Sequence, residues 1–531
     1  VRRKRVLVVN CYMPETREPM QLPNEMPMPL APIHVAGYFE PRMWDVRIYN
    51  EVSHGWLELF SPHLLDWPDV VVFCGLTAAF DRFRHLSAYI RTRNPRAITI
   101  AGGLGIRAMP RYSKAFFNYT CRGDVNEIAE VIREAFGAAH VAEHPVPRYD
   151  LANWLGRWIG YAESSRNCNF RCSFCTLTAD GRPWQGHAPD FFMQQLEAMG
   201  PRVLLHIADN QFGGPDPESL AERLTVLKEA RNRGLFKWWA GFVTDSFLWD
   251  ERNIQLARES GCISLLIGVE SFDEVWLKSV NKRQNLRVSQ VELIRRTMDA
   301  GILFMYGLVF DPTERRVADM ERELDVIADE PAVPAPNFIF CATPYPGTPF
   351  FRDRFDRGLI LPNTKIRDLE GSTLNLKSLD GEERAAEFLK TGKNLRGKRL
   401  KFLKHQAQMH WRYMAALPAH LHGVSLATIG SIMAPQGLSN ARYLLHKKEP
   451  RTHIGSTDRL DVVFTPQFPV DAEFANWFEP TMVTLADGSL NPVLADDLLD
   501  DRWKYAKQTV IRRAGPAQEG DVLEKPELAI A

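Results

Sequence analysis

Six short apolar runs lie between residues 158 and 342, at 158–163, 203–208, 238–244, 263–269, 303–310 and 337–342. Segments of helical period separate them, at 217–233, 253–260, 289–300 and 318–328. Asp216 stands as a helix N-cap before Pro217, and Gly261 and Gly301 close two of the helices. A strand buried on both faces reads as a continuous apolar run, and alternation with helices calls for parallel pairing. The pattern predicts an incomplete (β/α)6 barrel over residues 158–370. Such barrels carry their functional groups at the carboxyl ends of the strands. Here those ends are polar: Asp209-Asn210, Asp245-Ser246 and Glu270-Ser271.

The first run feeds a loop holding Cys168, Cys172 and Cys175 in the spacing C-x3-C-x2-C, with Phe174 just before the third. With 8 cysteines in 531 residues, about 0.002 such triplets are expected by chance. Three thiolates suit a soft metal centre and leave one position for a ligand from outside the chain. A zinc site completed by Cys262, Cys341 or a histidine is the alternative reading.

The stretch resembles the cluster motif of the radical S-adenosylmethionine (SAM) superfamily. That resemblance implies that Cys168, Cys172 and Cys175 bind three irons of a [4Fe–4S] cluster whose fourth iron chelates SAM, with Phe174 near the adenine. Ile207 to Phe212, Gly268 to Ser271 and the P-Y-P-G-T-P turn at 344–349 resemble the second, fourth and sixth strand ends of the same family. Asp209, Asn210, Glu270 and Ser271 are thereby expected to contact SAM, and Glu270 has a second reading as an oxygen ligand to the open iron. Asp209 also reads as a helix N-cap, and Glu270 as a cap or a salt-bridge partner. Tyr306, on the fifth strand, is a candidate for proton transfer or substrate contact, against the reading of a packed core tyrosine. Lys282 and Arg283 read as solvated loop charges.

Residues 1–145 alternate in the same way. Apolar runs at 6–9, 45–49, 69–74 and 97–101 are separated by helical patterns at 30–40 and Phe80–Arg93, and a further helix is expected at 125–136. This predicts a Rossmann-like parallel sheet whose ligand sits beyond the carboxyl strand ends. Gly75, Gly102, Gly103 and Gly123 fall there, where glycine lets a ligand approach the backbone. The segment resembles the cobalamin-binding domain that precedes the barrel in one radical SAM subfamily. The marks are Gly75-Leu76-Thr77, Gly102-Gly103 and Arg122-Gly123-Asp124. A Rossmann-like domain with another cofactor, or none, is the alternative. The D-x-H-x-x-G motif that supplies an axial histidine in many cobalamin proteins is absent, and none of the 14 histidines has its context. The expectation is cobalamin without a histidine on its lower face.

Residues 137–157 read as a Pro-punctuated linker, 367–377 as a closing strand pair, and 371–531 as a mostly helical cap domain. Within that cap, 382–416 reads as a long helical region, a further helix carries Gly423, Gly430 and Gly437, and 515–531 is polar tail. With 65 basic and 65 acidic residues the formal charge is zero, which offers no electrostatic footprint for nucleic acid or an anionic membrane. No apolar run reaches membrane-spanning length, the apolar run near the start is short for a signal-peptide core, and the cysteines are too scattered for a disulfide framework, so a cytoplasmic protein is expected.

The resemblance implies an enzyme, a cobalamin-dependent radical SAM methyltransferase. It would move a methyl group from SAM by way of methylcobalamin to a carbon of a small molecule, with an aromatic such as tryptophan as one member of the class. A radical and a polar route are both open, and the electron donor would be a flavodoxin or ferredoxin. The same architecture serves an oxidative cyclase or rearrangement enzyme without methyl transfer. A non-catalytic iron–sulfur binding or sensor protein is the reading outside catalysis.

Overall fold

The computed structural model describes residues 2–13, 30–152, 158–371, 373–392, 399–413, 422, 454–455, 464–499 and 510–512. The helix expected to carry Gly423, Gly430 and Gly437, and the tail 515–531, lie outside these residues.

Five parallel strands build the first sheet: β1 (Lys4–Asn10), β2 (Trp44–Asn50), β3 (Val70–Cys74), β4 (Ile98–Gly102) and β5 (Tyr119–Cys121). Their order is 5-4-3-1-2, so the chain reverses direction across the sheet between β1 and β3. Ligands of open parallel sheets sit outside the carboxyl ends at such a switch point. The strand cores are Val, Ile and Leu, buried on both faces under α1 (Leu30–Gly37), the helix Phe80–Arg93 and the helix Ile128–Phe136. β5 was not expected as a strand; three residues are too few to show a period.

The second sheet holds β6 (Ile159–Ala162), β9 (Arg202–Ile207), β10 (Phe236–Val243), β11 (Cys262–Glu270), β12 (Leu303–Phe310) and β13 (Phe338–Cys341). All pair in parallel in sequence order, and β6 and β13 do not pair with each other. This is the open six-stranded half-barrel that the apolar runs imply. A two-residue ribbon of β7 (Ser165–Arg166) and β8 (Gln185–Gly186) brackets the cysteine loop. The helix Pro189–Met199, between that loop and β9, was not expected.

Among the described residues of 367–377 the expected closing strand pair does not form; the segment makes isolated bridges, Ile360 to Leu376 and Leu374 to Ile454. Beyond it, the helices Glu382–Gly392 and Arg399–Tyr413 lie against the barrel. Residues 464–499 instead join the core of the first sheet, with Phe474, Trp477 and Phe478 packed among Phe80, Phe116 and Tyr89. A last strand, β14 (Val510–Arg512), pairs antiparallel with β5.

Candidate active site

The cysteine loop runs from the end of β6 and is tied down from four directions. From β9, the Asp209 carboxylate accepts from Ser164 N at 2.7 Å, Ser164 Oγ at 2.6 Å and Ser165 Oγ at 2.6 Å. Asn210 Oδ1 accepts from Asn167 N at 3.3 Å, and Gln211 donates to Asn169 Oδ1 at 3.2 Å. From the segment after β11, Val280 O accepts from Ser173 N, Asn281 donates to Arg171 O, and Gln284 Nε2 donates to Cys172 Sγ at 3.4 Å. From the helix that follows the P-Y-P-G-T-P turn, Phe350 N donates to Ser173 O. From the first sheet, Asp124 Oδ2 accepts from Asn167 Nδ2 at 3.4 Å. Three strand ends and the neighbouring domain thus converge on one loop.

Cys172 is buried, and Cys168 and Cys175 are half-buried. Burial raises the Cys175 thiol to about 11, and the neighbouring Cys172 and Cys168 add to the rise. Burial also raises Cys168, and Cys172 adds to that, while Lys282 and Arg171 oppose it. The three sulfurs are therefore electrostatic neighbours whose protons a bound metal centre would displace. Among the described residues, no three His, Cys, Asp or Glu side chains converge as they would on one ion. A multi-iron cluster asks something different, since each thiolate meets its own iron.

Glu270, at the end of β11, has a φ of 61°, and the pairing with β12 shifts register between Ile267 and Glu270. A bulge at a strand end re-aims a side chain, and a bulky residue at positive φ is a strained outlier of the kind that clusters at functional sites. Asn167, in the cysteine loop, also has a positive φ, 63°, which asparagine adopts without strain. The Glu270 carboxylate accepts from Lys282 Nζ at 2.8 Å. Lys282 is 5 % exposed, its ammonium 5.9 Å from the centre of the Phe174 ring. Burial disfavours its charge, but Glu270 and Cys172 more than compensate and hold its pKa above the usual lysine range. The expectation of a solvated loop charge is therefore corrected for Lys282; Arg283 is exposed. Nothing in the run Asn281-Lys282-Arg283-Gln284-Asn285 distinguishes the buried residues from the exposed ones.

Phe174 stacks on Trp276 at 6.3 Å with an interplanar angle of 14°. Ser271 is buried, donates to Glu323 Oε1 at 2.9 Å and accepts from Asp273 N. Asp209 caps no helix; its carboxylate is committed to Ser164 and Ser165. Tyr306 lies apart from these groups. It is fully buried in the barrel core beside Phe272 and Phe304, and its hydroxyl donates to Pro334 O at 2.7 Å.

A cavity of about 270 Å³ lies between the two sheets. Gly75, Gly102, Gly103 and Gly123, at the carboxyl ends of β3, β4 and β5, form one wall, and Asn167, Leu177 and Asn210 form the other. Gly103 has a φ of 113°, and a Cβ there would stand 2.7 Å from the Gly75 carbonyl oxygen. Leu76 turns outward at 67 % exposed, and Thr77 faces an adjoining small recess with Thr176 and Tyr345. A charged group unremarked in the sequence surrounds the cavity. Glu163 accepts from Arg166 at 2.5 Å and meets His187 Nε2 at 2.7 Å. Burial opposes its charge, yet His187 and Arg166 hold the Glu163 carboxyl down near 2.

Residues 163–324 match the model of the radical SAM superfamily. It is 22% identical over 304 residues to the hopanoid C-2 methylase of Rhodopseudomonas palustris (strain TIE-1), covering 53% of this chain and 56% of that one. The sequence relatives are matched over only 44% to 60% of their length. The fold is similar to that of the radical SAM methyltransferase TsrM from Kitasatospora setae, solved with tryptophan substrate and a SAM analogue. The TM-score is 0.51 at 15% identity, over 68% of this chain and 78% of that one. It is also similar to the cobalamin-dependent SAM radical enzyme OxsB with aqua-cobalamin bound. There the TM-score is 0.56 at 14% identity, over 90% of this chain and 80% of that one. Among the described residues, no helix is long and apolar enough to cross a membrane.

Proposed function

We propose that this chain is a cobalamin-dependent radical SAM methyltransferase that moves a methyl group from SAM to a carbon of a small molecule. The observation that carries the reading is the shared cavity. Its glycine wall lies at the carboxyl ends of β3, β4 and β5, and its opposite wall belongs to the cysteine loop. A group held on the first wall therefore faces chemistry held on the second. The likeness to a C-2 methylase and to two cobalamin- or methyl-transfer folds supports it.

When bound, the cluster supplies the electron that cleaves SAM reductively, and cobalamin carries the methyl group from SAM to the substrate. The chain's part is to hold these groups in register. Cys168, Cys172 and Cys175 hold three irons. Glu270 and Lys282 present a carboxylate and an ammonium side by side, complementary to the ammonium and carboxylate of the amino-acid end of SAM. Phe174, braced on Trp276, offers a face to the adenine. Asp209 and Ser271 act one step back, fixing the loop and the strand end. Gly75, Gly102, Gly103 and Gly123 give the corrinoid its floor. A flavodoxin or ferredoxin is the electron donor.

The test is cobalt, iron and sulfide per chain after anaerobic expression with cobalamin supplied, followed by methyl-labelled SAM with candidate substrates, tryptophan first. About one cobalt and about four irons, with label in the product, support the reading. Four irons without cobalt remove cobalamin from it. Substrate-derived hydrogen in deoxyadenosine with no label transferred turns it into a cyclase or rearrangement enzyme.

A further inference from the structure

The strands of the second sheet have one covered face and one open face. Leu205, Ile207, Trp239, Leu265 and Ile339 are buried in the barrel core with residues of the surrounding helices, such as Leu224 and Leu293. Side chains alternate along a strand, so the residues between them point the other way. On that second face stand Tyr161 of β6, His206 of β9, Phe242 of β10, Met305 of β12, and Phe338 and Phe340 of β13, and none of the six is fully buried.

Contacts on both sides place His206 on this open face. Its ring centre lies 5.5 Å from that of Tyr161, its register partner on β6, and 5.1 Å from that of Phe242 at an interplanar angle of 77°. Across the face the rings of Phe338 and Phe340 lie 4.5 Å apart, and Phe338 covers Gly307, where a Cβ would stand 1.8 Å from its ring. At the carboxyl rim the face continues into Glu163, two residues past Tyr161, which lines the cavity between the sheets. It continues also into Glu270, whose Oε1 lies 2.7 Å from where a Cβ on Gly268 would stand.

A hollow lined by rings, with Glu163 and Glu270 at its rim, suits an uncharged, flat apolar body. His206 brings polar atoms into its middle. Burial lowers its pKa to about 4, so the imidazole is neutral and offers one donor and one acceptor. Neither nitrogen has a hydrogen-bond partner among the described residues. We infer that this hollow holds the methyl acceptor as an uncharged ring system, and that His206 sets specificity by hydrogen-bonding one polar group on its edge. That the occupant is the methyl acceptor rests on the reading above.

The experiment is equilibrium dialysis of three bicyclic probes against the full chain purified anaerobically with its cluster. Indole carries an N–H, indanone a carbonyl, and benzothiophene neither. Wild type, His206→Leu, His206→Gln and Phe242→Ala are compared, with iron and sulfide per chain confirming that each variant is folded. Wild type is expected to bind all three probes, and Phe242→Ala to weaken all three. His206→Leu is expected to bind indole or indanone roughly tenfold more weakly, the size of one ordinary hydrogen bond, and benzothiophene within about twofold of wild type. His206→Gln should recover most of the loss. A loss with indole makes His206 the acceptor, and a loss with indanone makes it the donor. Equal losses with all three probes overturn the specificity role, since altered packing alone would produce them. Unchanged affinity for both indole and indanone overturns it as well, and wild type that binds no probe overturns the site itself. A chain that binds the probes as expected yet takes up no cobalt keeps the site and loses the cobalamin reading.

Discussion

Lys282 Nζ stands 2.8 Å from Glu270 Oε1, joining the strained end of β11 to a segment 12 residues downstream that also binds the cysteine loop. Both partners are largely removed from solvent. Replacing one member of such a pair leaves an uncompensated charge, at a cost of about 3–5 kcal/mol. Lys282→Met is therefore expected to lower stability by that order and to weaken SAM binding. Glu270→Gln combined with Lys282→Met should regain much of the stability but not the SAM affinity. Urea unfolding and equilibrium dialysis with SAM check the two effects; equal SAM affinity in the double variant and wild type would detach the pair from SAM.

Asp209→Ala should act on the cluster without touching it. The substitution strands Ser164 N, Ser164 Oγ and Ser165 Oγ, all donors to one buried carboxylate at the start of the cysteine loop. Hydrogen bonds to a charged group contribute about 1.5–3 kcal/mol each when their loss leaves buried groups unpaired. Iron and sulfide per chain after reconstitution should fall well below wild type, while Ser165→Ala alone should fall less. Full iron loading of Asp209→Ala would show that the loop holds its shape without this brace.

Gly103→Ala tests the proposed corrinoid wall apart from the cysteine loop. At a φ of 113°, with the Gly75 carbonyl oxygen 2.7 Å from any added Cβ, alanine forces the β3 and β4 ends apart. Backbone strain of this kind costs about 1–3 kcal/mol. The variant should bind cobalamin more weakly, read from its visible spectrum, and keep its iron. Iron loss in parallel with cobalt loss would mean that the sheet end and the cysteine loop fold as one unit.

The parts of this arrangement visible in the sequence were those with a local signature. Six apolar runs read directly as β6 and β9 to β13, because strands buried on both faces need no polar alternation. Asp216 caps its helix as expected, accepting from Glu218 N and Ser219 N. Glu270 and the glycine wall followed from strand ends. Lys282 and His206 did not, because their surroundings are decided by tertiary packing. Lys282 sits in a run of five polar residues, and His206 inside an apolar run whose two faces read alike. Asp209 was visible as a residue, but its partners Ser164 and Ser165 lie about 45 positions away in the chain.

Asp245, at the end of β10, carries a pH dependence that can be measured. Burial lifts its carboxyl from 3.8 to about 7, against the opposing effects of Gln290 and Lys282. Between those values the folded chain keeps a proton that the unfolded chain has released. Its contribution to stability is thus full below about pH 4 and is lost as pH rises toward 7, at no more than about 1.4 kcal/mol per pH unit. Asp245→Asn removes the titration while keeping an oxygen to accept from Gln290. Relative to that variant, wild type should lose stability between roughly pH 4 and pH 7 in urea unfolding of the full chain. Parallel profiles over that window would place the Asp245 carboxyl in contact with water, with an ordinary titration and no share in the pH response of this strand end.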